Sequence, residues 1–347
     1  MSSINQKDFR SKEILPVSSI LDLEMSKKEE EDVYKLTEMD NANNQLEPEP
    51  ELMVNDGCEK FEACDNPILV FFFRGRLICG PDPRGFILTT VSIVLSSWIF
   101  CIYVGDDLKK HSGLIVTIAV ILTLSVLANL ILVSAIDPGI IPRNDRISQD
   151  ETRSDGLKSK RVKVNGVEVK LKFCRICKIF RPPRSCHCAI CDNCVERFDH
   201  HCPWIGQCIG RRNYRFYLMF VTSALTFFIY VFSFSCRRIN QKMSENKAGL
   251  FTTVRSCPET LALASFSFFA MWFLGGLASF HTYLILVNQT AYENHRHCYF
   301  ESRPNPYDKG ILSNLKEVFF TELPPSKVDF RAEMTQKEYG NADTLEQ

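Results

Sequence analysis

Four long apolar stretches interrupt an otherwise polar chain, at 86–104, 113–136, 216–236 and 260–287. Each meets the roughly 20 residues a helix needs to cross a ~30 Å hydrocarbon core, so the pattern predicts four membrane spans rather than buried helices of a soluble protein. A short polar turn, Gly105–Ser112, joins the first pair, and Gly275-Gly276 in the fourth is expected to allow close helix contact. An even number of spans puts both termini and the loop between spans two and three on one side. That side carries Arg84, Arg143, Arg211, Arg212, Arg215 and Arg296, against Lys109, Lys110, Arg237 and Arg238 on the other. The positive-inside rule makes the arginine-rich side cytosolic. The pattern also predicts a β-hairpin over 161–172, where apolar and charged residues alternate about Asn165-Gly166.

Composition changes this picture little. The chain has 347 residues and a formal net charge of +0, so no charge excess points to nucleic acid. Residues 1–66 are acidic and Ser/Asn/Pro-dotted, which suits a disordered tail. Met1-Ser2-Ser3 leads into charged residues without an apolar stretch, so no secretory signal or myristoylation is expected. The expected organisation is a tail over 1–66, spans one and two within 67–136, a cysteine-rich domain over 137–215, spans three and four within 216–287, and a C-terminal segment over 288–347.

Cysteine usage changes it most. Of 15 cysteines, eight fall between 174 and 208, where Cys174, Cys177, Cys186, His187, Cys188, Cys191, Cys194, His200, His201, Cys202 and Cys208 offer eleven potential zinc ligands. Repeated Cys-x-x-Cys steps with interspersed histidine favour zinc over disulfides. Thiolate ligands must stay reduced, which agrees with a cytosolic loop. Two tetrahedral sites use eight ligands and leave three over. Spacing alone does not fix which ligand serves which metal, nor remove Cys186 or Cys202 from the ligand set. A spared thiol in Asp199-His200-His201-Cys202-Pro203 has beside it the imidazole and carboxylate that nucleophilic catalysis requires.

The run Cys174-Arg-Ile-Cys177, Arg181-Pro-Pro-Arg184-Ser-Cys-His187-Cys188, Cys191, Cys194, Asp199-His-His-Cys202-Pro-Trp204, Cys208-Ile-Gly210 and Asn213 resembles the DHHC protein S-acyltransferases, most closely their plant branch. The resemblance extends over roughly residues 68–320. Asp137-Pro138-Gly139 is similar to the family's Asp-Pro-Gly motif, and Asn305-Pro306-Tyr307 with Asn314 to its C-terminal segment, which packs against the catalytic loop. Two departures stand out: Ala291 replaces the second threonine of a Thr-Thr-x-Glu motif, and Gln207 replaces an asparagine common in the family.

The resemblance implies an α-helical integral membrane protein, with four transmembrane helices and a cytosolic zinc-stapled cysteine-rich domain between helices 2 and 3. It implies two structural zinc ions, one on Cys174, Cys177, His187 and Cys194, the other on Cys188, Cys191, His201 and Cys208. It makes Cys202 the nucleophile, His200 its base and Asp199 the orienting carboxylate. Arg181, Arg184, Arg211 and Arg212 are candidates to bind the phosphates of acyl-CoA, although Arg211 and Arg212 also suit the cytosolic end of span three. Partners would be fatty acyl-CoA, membrane-associated substrate proteins and the lipid bilayer. The resident membrane would be Golgi, endoplasmic reticulum or plasma membrane. A zinc-stapled adaptor and a transporter compete with this reading. The transporter is disfavoured, because the spans lack charge at mid-depth and carry only His281, near an end.

Overall fold

A computed structural model describes residues 70–72, 77–105, 112–144, 160–246, 255–299 and 304–328. The acidic segment 1–66 and most of the tail beyond Ser326 lie outside the described residues. The elements that position the site run from a β1–β2 hairpin (Val70–Phe72, Leu77–Cys79) into α1, Pro83–Ile99, whose first turn is capped by the Asp82 carboxylate. A π-helical turn, Phe100–Gly105, continues α1. Then follow α2, Ser112–Ala135; α3, Tyr214–Asn246; and α4, Pro258–Leu286.

All four helices are long and apolar enough to cross a membrane, as their hydropathy predicts. Their outward faces keep large apolar side chains exposed, Trp98, Phe269 and Trp272 among them, which suits a lipid surround. Phe100, Leu130, Phe227 and Val231 fill the interior. Polar pairs lie between the helices: Thr123 Oγ1 donates to Ser97 Oγ at 2.8 Å, and Asn129 Nδ2 to Ser223 Oγ at 3.2 Å. Such bonds hold helices together where no water competes.

Two expectations need correction. Helix α3 does not stop near Cys236 but continues to Asn246. Hydropathy marks the membrane crossing, whereas the polar residues after Cys236 are sound helix formers, and Arg238 is tied back to Glu259 and Thr260 at the start of α4. Gly275-Gly276 makes no close helix contact, since a Cβ at either position would meet nothing within 4 Å.

Between α2 and α3 the described residues form only short strands. These are β3 (Ile140–Ile141), β4 (Arg161–Val164), β5 (Val167–Lys170), β6 (Phe173–Cys174), β7 (Ile179–Phe180), β8 (Cys186–Cys188), β9 (Asn193–Val195), β10 (His200–Cys202) and β11 (Gln207–Ile209). The predicted hairpin is present as β4–β5, with positive φ at Asn165 and Gly166 as a two-residue turn requires. Strands β3, β9 and β8 form one small sheet, while β6–β7 and β10–β11 are isolated pairs. The buried clusters here centre on cysteines: Cys186, Cys188, Cys191 and Cys208 with Val195 and Phe198, and Cys174, Cys177 and Cys194 with Ile141. So small an apolar core does not hold a loop of this size without a staple.

The loop meets the bundle through the turn after β10. Thr89 Oγ1 of α1 donates to the Trp204 carbonyl at 3.0 Å, and Ser134 Oγ of α2 to the Ile205 carbonyl at 3.2 Å. Gly85 admits this contact, because a Cβ there would lie 1.8 Å from the Pro203 oxygen. Gly85→Ala is therefore expected to destabilise the chain by about 1–3 kcal/mol, the usual cost of overpacking. Gly275→Ala serves as the control, and a thermal melt in detergent that moved equally for both would contradict this contact. After α4 come α5 (Ala291–His295) and α6 (Ile311–Phe320).

Candidate active site

The site is built on strand alternation. In β10, His201 lies opposite Cys208 of β11, while His200 and Cys202 lie opposite Ile209 and Gln207. Residues one apart along a strand face opposite ways, and residues two apart share a face. His201 therefore turns to its cysteine cluster, and His200 and Cys202 turn together to the other side. The sequence Asp-His-His-Cys sorts its own side chains by this alternation.

Two groups of four ligands converge: Cys174, Cys177, His187 and Cys194, and Cys188, Cys191, His201 and Cys208. In the first, His187 Nδ1 lies 3.4 Å from Cys177 Sγ and 3.8 Å from Cys194 Sγ. In the second, His201 Nδ1 lies 3.3, 3.7 and 3.8 Å from Cys191, Cys208 and Cys188. Tetrahedral zinc with Zn–S near 2.3 Å and Zn–N near 2.0 Å sets such S···N separations at about 3.6 Å. The donor sets fit a metal ion of that kind. The thiols also press on one another: the hydrogen bond between Cys177 and Cys194 lowers the pKa of the first and raises that of the second. A cation relieves that conflict by stabilising every thiolate at once.

Neither group uses Cys202, Cys186 or His200. Cys202 is 7% exposed and belongs to the apolar core of the span bundle, beside Ile205, Ile209 and Tyr217. His200 Nδ1 is 2.7 Å from Asp199 Oδ2, and the Cys202 thiol is near enough to the imidazole to act on its charge. Burial works against the charged imidazole but is outweighed by Asp199 and Cys202, which raise the His200 pKa to about 10. Burial likewise opposes the Asp199 carboxylate. The hydrogen bond and charge of His200 prevail, and Asp199 stays below the usual carboxylate range.

Asp199 is itself gripped from the segment after α4. Its Oδ1 accepts the Ala291 N–H at 2.9 Å, and its carbonyl accepts the Tyr292 N–H at 3.1 Å. Both donors are main-chain groups in the first turn of α5, whose start is fixed by the Thr290–Glu293 capping box. Gln207 Nε2 donates to the Val133 and Ile136 carbonyls at the end of α2, tying β11 to the bundle.

The four arginines are spread apart. Arg184 reaches both Glu293 oxygens, at 2.9 and 2.7 Å, and the Asn288 side chain and carbonyl, and lies 4.5 Å from the Tyr307 ring centre. Arg212 bonds Asp137 at Oδ2 (2.8 Å) and the Pro324 carbonyl. Arg181 Nη1 points to Cys186 Sγ at 3.6 Å. The Arg211 side chain stays 53% exposed beside Glu196.

The C-terminal segment packs on the loop as the resemblance implies. Asn165 donates to the Pro306 carbonyl, Arg197 pairs with Glu317 at 2.7 Å, and Asn305 donates to the carbonyls of Val287 and Asn288. Sequence reasoning missed Asn288 as the hub of this network. It noted His281 only as a residue near the end of a span, and did not place it beside the Asp199–His200 pair. The signal for His281 was available, since an ionisable residue inside a span is functional by default.

Comparison with known proteins agrees with these features. A family model described as DHHC palmitoyltransferase matches residues 167–297. The chain is 45% identical over 287 residues to probable protein S-acyltransferase 7 of Arabidopsis thaliana, a match covering 78% of this chain and 64% of that protein. It is 42% identical to protein S-acyltransferase 8 (76% and 69% covered) and 41% identical to probable protein S-acyltransferase 1 (75% and 82%), both from Arabidopsis thaliana. The chain thus spans slightly less than two thirds of the first relative's length.

Proposed function

Because this chain belongs to the DHHC palmitoyltransferase family, in its plant-type branch, we propose that it moves a fatty acyl group from acyl-CoA, by way of Cys202, to cysteines of membrane-associated proteins. The observation that carries this reading is the shared strand face of His200 and Cys202, turned from the metal ligands toward the core of the span bundle.

The residues supply the chemistry in two steps. Cys202 first gives its proton to His200, whose far side is held by Asp199 and whose charged form the site favours, and the thiolate then attacks the thioester carbonyl. The tetrahedral intermediate collapses, the bond from carbon to the CoA sulfur breaks, and the proton on His200 leaves with CoA as its thiol. A protein thiol then attacks the acyl-Cys202, gives its proton to His200, and Cys202 departs and recovers it. One thioester replaces another at each step, so the exchange is nearly balanced in energy. Burial of the acyl chain among the spans contributes about 0.8 kcal/mol per CH₂.

Cys174, Cys177, His187 and Cys194 would hold one zinc ion, and Cys188, Cys191, His201 and Cys208 the other. In sites closed by four protein ligands zinc is a folding device. We assign the CoA phosphates first to Arg211, whose guanidinium reaches solvent, and then to Arg181. In this reading Arg184 and Arg212 serve the fold, because Glu293, Asn288, Asp137 and Pro324 engage their donors. The need to keep the ligands reduced supports placing the loop and both termini in the cytosol, at a Golgi, endoplasmic reticulum or plasma membrane.

The test is a rapid-mixing experiment with palmitoyl-CoA and no protein substrate. A burst of one CoA per chain is expected, matched by one hydroxylamine-labile acyl group. CoA release with no burst and no labile acyl group would rule out the covalent route.

A further inference from the structure

His281 is the only Asp, Glu, Lys, Arg or His in the stretches 86–104, 113–136, 216–236 and 260–287. It is 2% exposed, and both ring nitrogens are occupied. The Tyr214 hydroxyl lies 3.1 Å from Nδ1 and the Tyr217 hydroxyl 3.1 Å from Nε2. Tyr214 and Tyr217 are three apart on α3 and so share one face. A neutral imidazole has one donor and one acceptor nitrogen. One tyrosine hydroxyl therefore donates to the ring and the other accepts from it, and the ring is held at both ends.

This clasped histidine lies against the reacting pair. Its ring centre is 6.0 Å from that of His200, and the Tyr217 ring meets His200 edge-on at 5.3 Å and His281 at 4.9 Å. One donor atom each from Asp199, His200 and His281 lies within 4.8 Å of the others. With both His281 nitrogens already taken by tyrosine hydroxyls, this grouping reads as a polar wall rather than a third metal site.

We propose that His281, clasped between Tyr214 and Tyr217, is a positioning residue for acyl transfer, a wall that keeps the His200 imidazole on Asp199 with its far nitrogen on Cys202. The inference rests on the acyl-transfer reading above. The His200 side chain is 30% exposed, and its carboxylate partner is the adjacent residue. Such a pair leaves the ring free to swing unless something stiff stands beside it. A Phe or Leu at 281 would fill the space without two buried hydrogen bonds to satisfy in the apolar bundle. What the polar triad adds is a single fixed orientation. Loss of orientation at a reacting group costs on the order of 10²-fold in rate.

The test compares full-length wild type, His281→Leu, His281→Gln and Tyr214→Phe in detergent. Single-turnover acyl loading is measured at saturating and limiting palmitoyl-CoA, alongside zinc content and thermal melting. His281→Leu is expected to slow loading about 10–100-fold at saturation. Its half-saturating palmitoyl-CoA and zinc content are expected to stay at wild-type values. His281→Gln, which can still bond a tyrosine, recovers most of that loss, and Tyr214→Phe falls between. Equal loading by the Leu and Gln variants would reduce His281 to packing and overturn the proposal. So would a defect confined to half-saturation, which would make His281 a contact for the acyl chain. If His281→Leu does not fold, Tyr214→Phe decides, and loading at the wild-type rate overturns the proposal. Failure of the wild type itself to load would instead overturn the acyl-transfer reading.

Discussion

Cys202→Ser is expected to take up no hydroxylamine-labile acyl group from palmitoyl-CoA while keeping the zinc content of the wild type. A hydroxyl is a far weaker nucleophile than a thiol at neutral pH, and removing a covalent nucleophile costs at least about 10³-fold. The protein should otherwise be undisturbed, because Cys202 belongs to neither ligand group and the change replaces one atom. Cys186→Ser is the matched control. Cys186 is the loop's other spare thiol, but it lies on β8 with its sulfur facing Arg181 rather than in the strand that carries His200. Labelling of the Cys202 variant to the wild-type extent would remove Cys202 as nucleophile. Loss of a zinc equivalent would make it a ligand.

Cys177→Ser should act through the opposite route, with the metal lost first and the acyl group lost as a consequence. Structural zinc contributes about 10 kcal/mol or more to small cysteine-rich folds. The apolar clusters around these ligands are too small to replace it. The two sites are also neighbours along the chain. His187 of one adjoins Cys188 of the other on β8, and Cys194 of the first lies on β9, paired with that strand. Release of one ion is therefore expected to loosen both sites. Metal analysis should read less than one zinc per chain, and limited proteolysis should cleave between α2 and α3. A variant that kept one full equivalent and loaded acyl groups normally would show that the sites fold independently.

Much of this arrangement is legible in the sequence. The spans could be read because hydropathy over 20 residues is a local property, and the presence of zinc ligands because Cys-x-x-Cys steps with histidine form a long motif, whereas the division into two sets came from the family resemblance and not from spacing. The hairpin about Asn165-Gly166 was equally plain, since its turn needs those residue types. What sequence did not reveal depends on distant segments meeting. Nothing local in Arg184 says that its donors are taken by Glu293 and Asn288, more than 100 residues away. Helix α3 outlasts its apolar stretch because a polar helix end tied to α4 leaves no hydrophobic trace. Gly275-Gly276 misleads for a related reason: small residues permit a close crossing, but a neighbouring helix must arrive to use it.

The grip on Asp199 by the Ala291 amide has an evolutionary corollary. A main-chain donor is present whatever side chain is attached, so position 291 is free to drift among small residues without unseating the carboxylate. Proline is the one residue this tolerance excludes. Elsewhere the first residue of a helix welcomes proline, because its amide would go unused. Here that amide has an employer, and a family member with proline at this position would need another way to seat its aspartate.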